Sequence, residues 1–252
     1  HVIDRHLNEG PRPAILSEGI AVYLTGGHYR KGDPLERAAA LVAEGLYIPL
    51  VDITDDFYAA QHEIGYMEAA GLVAYMSDMW GWEAFLEFYF TLPEGERDSK
   101  IISSALENKP GITLADLEMD FVDYLSSLTP SAEVRADVRL TIRTYDLIRR
   151  YQTLVIPNAN FRSAWWPPIE VMLEEGIVGD YAFREKSPFN IILESLFLEI
   201  HEGFQNQDYE SVAENCDRIV QYLDQFETES LPPSHYGLGW PIPSPIYSEV
   251  GP

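Results

Sequence analysis

Residues 16–23 of this 252-residue chain read Leu-Ser-Glu-Gly-Ile-Ala-Val-Tyr, and the expected fold of the amino-terminal half follows from this stretch. A Ser-Glu pair before an apolar run is typical of a helix start, and the stretch predicts a helix over residues 14–25. Gly26 and Gly27 come next and are expected to end that helix, because glycine readily takes the left-handed backbone of a helix cap. Glu18 is therefore either an ordinary residue of the first turns or a ligand.

The residues before this helix form a second element. Residues 1–8 carry apolar side chains at Val2, Ile3 and Leu7, which predicts the end of a helix. Residues 8–11, Asn-Glu-Gly-Pro, are expected to stop it. His1 would then lie one helix upstream of Glu18.

A third stretch, residues 65–76, reads Gly-Tyr-Met-Glu-Ala-Ala-Gly-Leu-Val-Ala-Tyr-Met. Its apolar residues, together with Met79, predict a core-facing helix that continues to about Trp80 and ends at Gly81. Tyr66 stands near the start of that helix. A half-buried tyrosine with no chemical role is the alternative interpretation of Tyr66.

Together these stretches resemble the gluzincin, or peptidase MA-like, zinc metallopeptidases over about residues 1–126. In that family one helix carries His-Glu-x-x-His, and a later helix carries a Glu in a context such as Leu-Asn-Glu-Gly-Phe-Ala-x-Tyr, which residues 16–23 match closely. A further helix in the family opens with Tyr and continues through small and apolar residues, as residues 65–76 do. Glu68-Ala69 departs from the Tyr-x-Lys-Gly form that some of these families show.

The resemblance implies roles for three residues. His1 matches the second zinc histidine, Glu18 the third zinc ligand, and Tyr66 the hydroxyl that hydrogen-bonds the oxyanion of the tetrahedral intermediate. The first histidine and the catalytic glutamate would lie upstream of His1. The resemblance further implies a peptide or protein substrate.

Counting ligands limits what this chain is expected to do alone. A catalytic zinc ion takes three protein ligands and leaves one position for water, whereas His1 and Glu18 are only two candidates. We therefore expect this chain to bind zinc weakly or not at all and to hydrolyse no peptide. The alternative is a non-catalytic helical module, derived from a peptidase scaffold, that binds a protein.

Two further histidines, His62 and His28, are candidate metal ligands. His62-Glu63 opens like His-Glu-x-x-His, but Tyr66 occupies the position of the second histidine, so the motif fails. We interpret His62 and Glu63 as entry residues of the Tyr66 helix, with a substrate contact by Glu63 as the alternative. His28 follows Gly27 in a predicted loop and is expected to be a surface residue.

Composition narrows the classes of function. The formal net charge of -24 repels nucleic-acid phosphates and anionic membrane surfaces, so we expect no nucleic-acid partner. No apolar run reaches the length of a membrane span. The single cysteine, Cys216, excludes an internal disulfide, is compatible with a cytoplasmic or an extracytoplasmic compartment, and is expected to be a small buried hydrophobe.

Helical periodicity dominates the whole chain, so the predicted fold class is all-α. Three parts are expected: a gluzincin-like helical subdomain over residues 1–128, helical hairpins over 129–230, and a proline-rich tail over 231–252. Thr129-Pro130 marks the boundary between the first two. Neither the oligomeric state nor a specific substrate is indicated by these patterns.

Overall fold

The structure, a computed structural model, describes residues 12–93, 99–108, 110–155 and 187–229. Within these ranges the protein is all-α, as predicted, and apart from one isolated bridge between Gly27 and Lys31 they contain no β-structure. The helices are α1 (Ala14–Thr25), α2 (Pro34–Ala43), α3 (Leu50–Asp55), α4 (His62–Trp80), α5 (Trp82–Thr91), α6 (Ser99–Asn108), α7 (Leu114–Ser127), α8 (Ala132–Val155), α9 (Pro188–Gln205) and α10 (Tyr209–Glu229).

Local capping explains several helix boundaries that the sequence predicted. Asp33 accepts hydrogen bonds from the backbone N–H groups of Leu35 and Glu36, and Pro34 occupies the first position of α2. Thr113 and Asp116 form a reciprocal capping box at the start of α7. Gly26, with a φ of 75°, ends α1.

Helix α4 is the centre of the amino-terminal half. It is buried along most of its length between α1 and α2, and α5 continues from its end. Two glycines allow this close packing. Gly19 of α1 lies against the Ala69 backbone of α4, and Gly71 of α4 lies against Ala38 of α2.

We expect Gly19→Ala to lower the free energy of unfolding by about 2 kcal/mol, as overpacking of a filled core does. The new Cβ would lie 2.5 Å from the Ala69 carbonyl oxygen and 2.9 Å from Val73 Cγ2. This clash outweighs the gain of up to ~1 kcal/mol that alanine brings to a helix interior. Denaturant unfolding followed by circular dichroism measures the change.

Gly65→Ala is the matched control, because Gly65 lies within α4 and its added Cβ would meet Phe57 and Ile53 no closer than 3.6 Å. We expect that variant to be as stable as the parent chain or slightly more stable. Equal destabilisation by both substitutions would contradict the close approach of α1 and α4.

Helices α8, α9 and α10 enclose a second apolar cluster, which includes Tyr151, Phe197 and Phe204. The spacing of Val138, Ile142, Tyr145 and Ile148 predicted that these side chains face a core, and all four are buried. Cys216 is fully buried, as expected, and burial raises the pKa of its thiol.

Helix α8 also packs against the amino-terminal half. Val138 and Ile142 share a cluster with Leu41 of α2 and Met67 of α4. The predicted boundary at residues 128/129 falls in the loop between α7 and α8. Helix α8, which begins directly after the predicted boundary, therefore makes the contacts with the amino-terminal half.

Buried charges reinforce this junction. Asp137 of α8 accepts hydrogen bonds from Arg37 at 2.6 Å and from Arg30 at 3.1 Å. Thr141 and Tyr209 donate to the same carboxylate at 3.3 and 3.4 Å. One carboxylate thus links α2, the loop before it, α8 and α10.

Two local predictions are wrong. The sequence of residues 47–53 predicts a short extended segment, but α3 begins at Leu50, because Leu50 and Ile53 both reach the core one helical turn apart. Met79 was expected in the core, yet 59% of it is exposed, since α4 ends at Trp80 beyond the packed region.

Several predictions fall on parts of the chain outside the described residues. They include His1 and the helix end predicted over residues 1–8, the part of the predicted helical hairpins within residues 156–186, and the proline-rich tail over 231–252. Among the residues that the structure does describe, none of the helices is both long and apolar enough to cross a lipid bilayer.

Candidate functional site

The two motif residues of the sequence, Glu18 and Tyr66, lie side by side. Glu18 projects half-buried from α1 and accepts a hydrogen bond of 2.9 Å from the hydroxyl of Tyr58. Tyr66 projects from the first turns of α4. Burial, the charge of Glu18 and a hydrogen bond to that carboxylate raise the pKa of Tyr66. The Tyr66 hydroxyl therefore stays protonated and remains a hydrogen-bond donor through the neutral range.

The packing of α1 on α4 explains why residues 48 positions apart meet. Gly19, directly after Glu18, lets the two helix backbones approach at Ala69. This contact brings the start of α4 beside the middle of α1. The glycine in residues 16–23 thus has a geometric role in placing the carboxylate.

This arrangement offers one oxygen ligand and two hydroxyl donors. Carboxylate oxygen is an accepted zinc ligand, so Glu18 fits one position of a zinc site. His1, the other predicted ligand, lies outside the described residues. The roles of Glu18, His1 and Tyr66 in zinc binding and catalysis remain predictions.

A second cluster of ionisable groups lies at the start of α4. Gln61 caps the helix by accepting from the Ile64 N–H at 2.8 Å, which places His62 and Glu63 in the first turn. His28, from the loop after α1, lies 2.8 Å from Glu63 Oε1 through its Nδ1. His62 Nδ1 lies 3.4 Å from the same oxygen. Ligand atoms of His28, His62 and Glu63 all lie within 4.8 Å of one another.

Glu63 is a buried anion. Its side chain is only 1% exposed, and burial alone would raise its pKa. The hydrogen bond from His28 and the adjacent imidazole of His62 outweigh burial and lower the pKa to about 2. The carboxylate also gains from its place at a helix amino terminus, where the helix dipole favours negative charge.

Aromatic rings connect this cluster to Tyr66. The His28 ring stacks on Tyr66 with a centroid distance of 4.1 Å, and His62 stacks on Tyr66 at 4.5 Å. His62 also stacks on Tyr145 of α8, again at 4.5 Å. The orientation of the Tyr66 side chain therefore depends on both imidazoles.

The sequence did not anticipate this cluster in full. His62 and Glu63 were correctly placed at the entry of α4, but His28 was predicted to be a surface residue and is instead half-buried against Glu63 and Tyr66. The two partners are 35 positions apart, and no local pattern joins them. The available signal was Glu63, a carboxylate beside Ile64 at the start of a core-facing helix, since a buried carboxylate requires partners.

The residue that departs from the family pattern, Glu68, is fully buried. Its Oε1 accepts from the Ile48 N–H at 2.7 Å, while its Oε2 has no hydrogen-bond partner among the described residues. Burial raises the pKa of Glu68 to about 9, although the Ile48 N–H opposes the shift. Glu68 is therefore a neutral acid at neutral pH and tethers the loop between α2 and α3.

No family model, curated protein or solved structure matches this chain.

Proposed function

We propose that this chain is the carboxy-terminal part of a zinc-dependent metallopeptidase of the gluzincin type. The proposal rests chiefly on the meeting of the Glu18 carboxylate with the Tyr66 hydroxyl. Residues 16–23 and 65–76 were singled out separately by their resemblance to the glutamate and tyrosine helices of that family. That two stretches chosen for separate reasons carry side chains that meet supports the proposal.

In this proposal the residues have separate roles. Glu18 would supply one oxygen ligand, and His1 with a histidine upstream would supply the remaining two. When bound, zinc would lower the pKa of its water and polarise the scissile carbonyl. A glutamate upstream would serve as the general base.

Tyr66 is the residue of this chain that would touch the reacting atoms. Its hydroxyl stays protonated at neutral pH and donates a hydrogen bond. A donor placed where negative charge develops stabilises the transition state more than the substrate. Stacking on His28 and His62 holds the ring in place before substrate arrives.

The test compares this chain with the same chain extended upstream through a His-Glu-x-x segment. We expect the extended chain to bind one zinc ion more than this chain does and to show peptidase activity that a chelator removes. In it, Tyr66→Phe should lower kcat/KM by about 100-fold and leave zinc content unchanged, as loss of one oxyanion donor does. Metal analysis and a peptidase assay give both quantities.

Tyr23→Phe is the matched control, because Tyr23 is likewise half-buried but lies on α1 and stacks on Trp82. It should retain activity. Full activity in the Tyr66→Phe variant would remove Tyr66 from the mechanism. An extended chain that binds no more zinc than this chain and cleaves no peptide would favour the non-catalytic protein-binding module.

A further inference from the structure

We propose that His28, His62 and Glu63 form a second cation site, distinct from the one at Glu18 and specific for a first-row divalent ion such as Zn²⁺. The three donors are two imidazole nitrogens and one carboxylate oxygen, within 4.8 Å of one another. Imidazole with carboxylate suits zinc and its neighbours better than Mg²⁺ or Ca²⁺, which prefer oxygen ligands.

The distances suit an ion of this size. Zinc bonds of about 2.0–2.1 Å in a tetrahedral site place neighbouring ligand atoms roughly 3.3 Å apart. His62 Nδ1 and Glu63 Oε1 are 3.4 Å apart. His28 Nδ1, at 2.8 Å from the same oxygen, needs to move by about half an ångström and give up its proton, as metal ligands do on binding.

An unsatisfied atom points to the same site. His62 Nδ1 is buried and has no hydrogen-bond partner among the described residues, because its 3.4 Å contact with Glu63 is misaligned for a hydrogen bond. Buried polar atoms without partners are rare, and an unplaced ion is one explanation for them. A cation between His62 and Glu63 satisfies this nitrogen.

The charge balance also favours a cation. Glu63 is a buried carboxylate, and the described groups within ion-pair distance of it are the two histidines. Arg30 and Arg37 line one small cavity together with His28 and Glu63, but both arginines are bound to Asp137. A divalent ion thus meets an anion that no arginine neutralises.

The His28 and His62 side chains are 19% and 25% exposed, whereas Glu63 is buried, so the two imidazoles form the solvent side of the site. Three protein ligands leave one position of a tetrahedral ion for water or another ligand. Because both imidazoles stack on Tyr66, an ion here would fix the orientation of that ring.

The test is titration of the full chain with Zn²⁺ by calorimetry, and with Co²⁺ by its visible absorption, at neutral pH. We expect one equivalent of Zn²⁺ to bind in the micromolar range or tighter, in contrast to the weak binding expected if His1 and Glu18 were the ligands. Glu63→Gln and His28→Ala should each weaken that binding on the order of 100-fold, the upper end of what loss of a supporting contact costs a metal site. Circular dichroism of each variant shows that the fold is retained, and His28→Ala, a loop substitution, preserves the buried Glu63.

His201→Ala is the control: it alters a histidine bonded to Gln205 and should leave the binding unchanged. Glu18→Gln and His1→Ala test the ligands proposed for the catalytic zinc ion. Binding lost in Glu18→Gln but kept in Glu63→Gln would place the ion at Glu18 and overturn the site. Absence of Zn²⁺ binding to the folded parent chain would overturn it as well. Neither outcome depends on peptidase activity, so this inference and the proposed function fail separately.

Discussion

Asp137→Ala is expected to lower the free energy of unfolding by about 4 kcal/mol, because removing one partner of a buried ion pair leaves the other charge uncompensated. Asp137 is buried and binds Arg37, whose side chain is only 7% exposed. Arg30 loses its carboxylate partner in the same substitution. Thr141 and Tyr209 lose a hydrogen-bond acceptor. Denaturant unfolding of the two proteins under identical conditions measures the difference.

Asp217→Ala is the matched control. Asp217 of α10 forms an ion pair with Arg143 of α8, but the Asp217 side chain is 63% exposed. Exposed ion pairs contribute about 0–1 kcal/mol, so this variant should be nearly as stable as the parent. A small loss in Asp137→Ala, comparable to that of Asp217→Ala, would mean that burial of the Asp137 network contributes little.

Glu68→Gln is expected to stabilise the protein by about 3 kcal/mol at pH 7, which is the cost of keeping a carboxyl with a pKa near 9 protonated in the fold. The folded state holds the Glu68 proton up to about pH 9, whereas the unfolded chain releases it near its ordinary value of 4.5. The stability that Glu68 confers is therefore fully present below pH 4.5 and is lost as the pH rises towards 9. Glutamine keeps the oxygen that accepts from Ile48 and does not ionise.

The measurement is the free energy of unfolding of both proteins between pH 4.5 and 9. The advantage of the variant should be smallest at pH 4.5 and grow with pH. Glu107→Gln removes the same charge at an exposed position and controls for relief of the net charge of -24. A pH-independent difference, or the same gain in Glu107→Gln, would show that Glu68 ionises normally.

Most of the fold could be predicted because its signals are local. Helix caps at Asp33 and Thr113 and the stop at Gly81 lie within a few residues of the boundaries they set. Helix α3 could not be predicted, because only tertiary burial of Leu50 and Ile53 distinguishes it from an extended strand. The six residues of α3, which lie between Pro49 and a loop, carry too little periodicity to distinguish a helix from a strand.

The candidate site divides in the same way. Glu18 and Tyr66 could be selected because each stands in its own recognisable stretch, and the structure adds that the stretches touch. His28 and Tyr58 could not be selected, since each reaches the site from a loop or turn and its partner lies 35 or 40 positions away. The neutral state of Glu68 depends on burial, which the sequence of α4 does not specify.

Helix α8 lies across the junction that the sequence suggested as a boundary. A protease that cut the loop at residues 128–131 would separate α7 from α8 in the covalent chain only. Val138, Ile142 and the Asp137 carboxylate would still hold the two fragments through α2 and α4. The two fragments are therefore expected to stay associated after cleavage, as a complementing pair held together by α8.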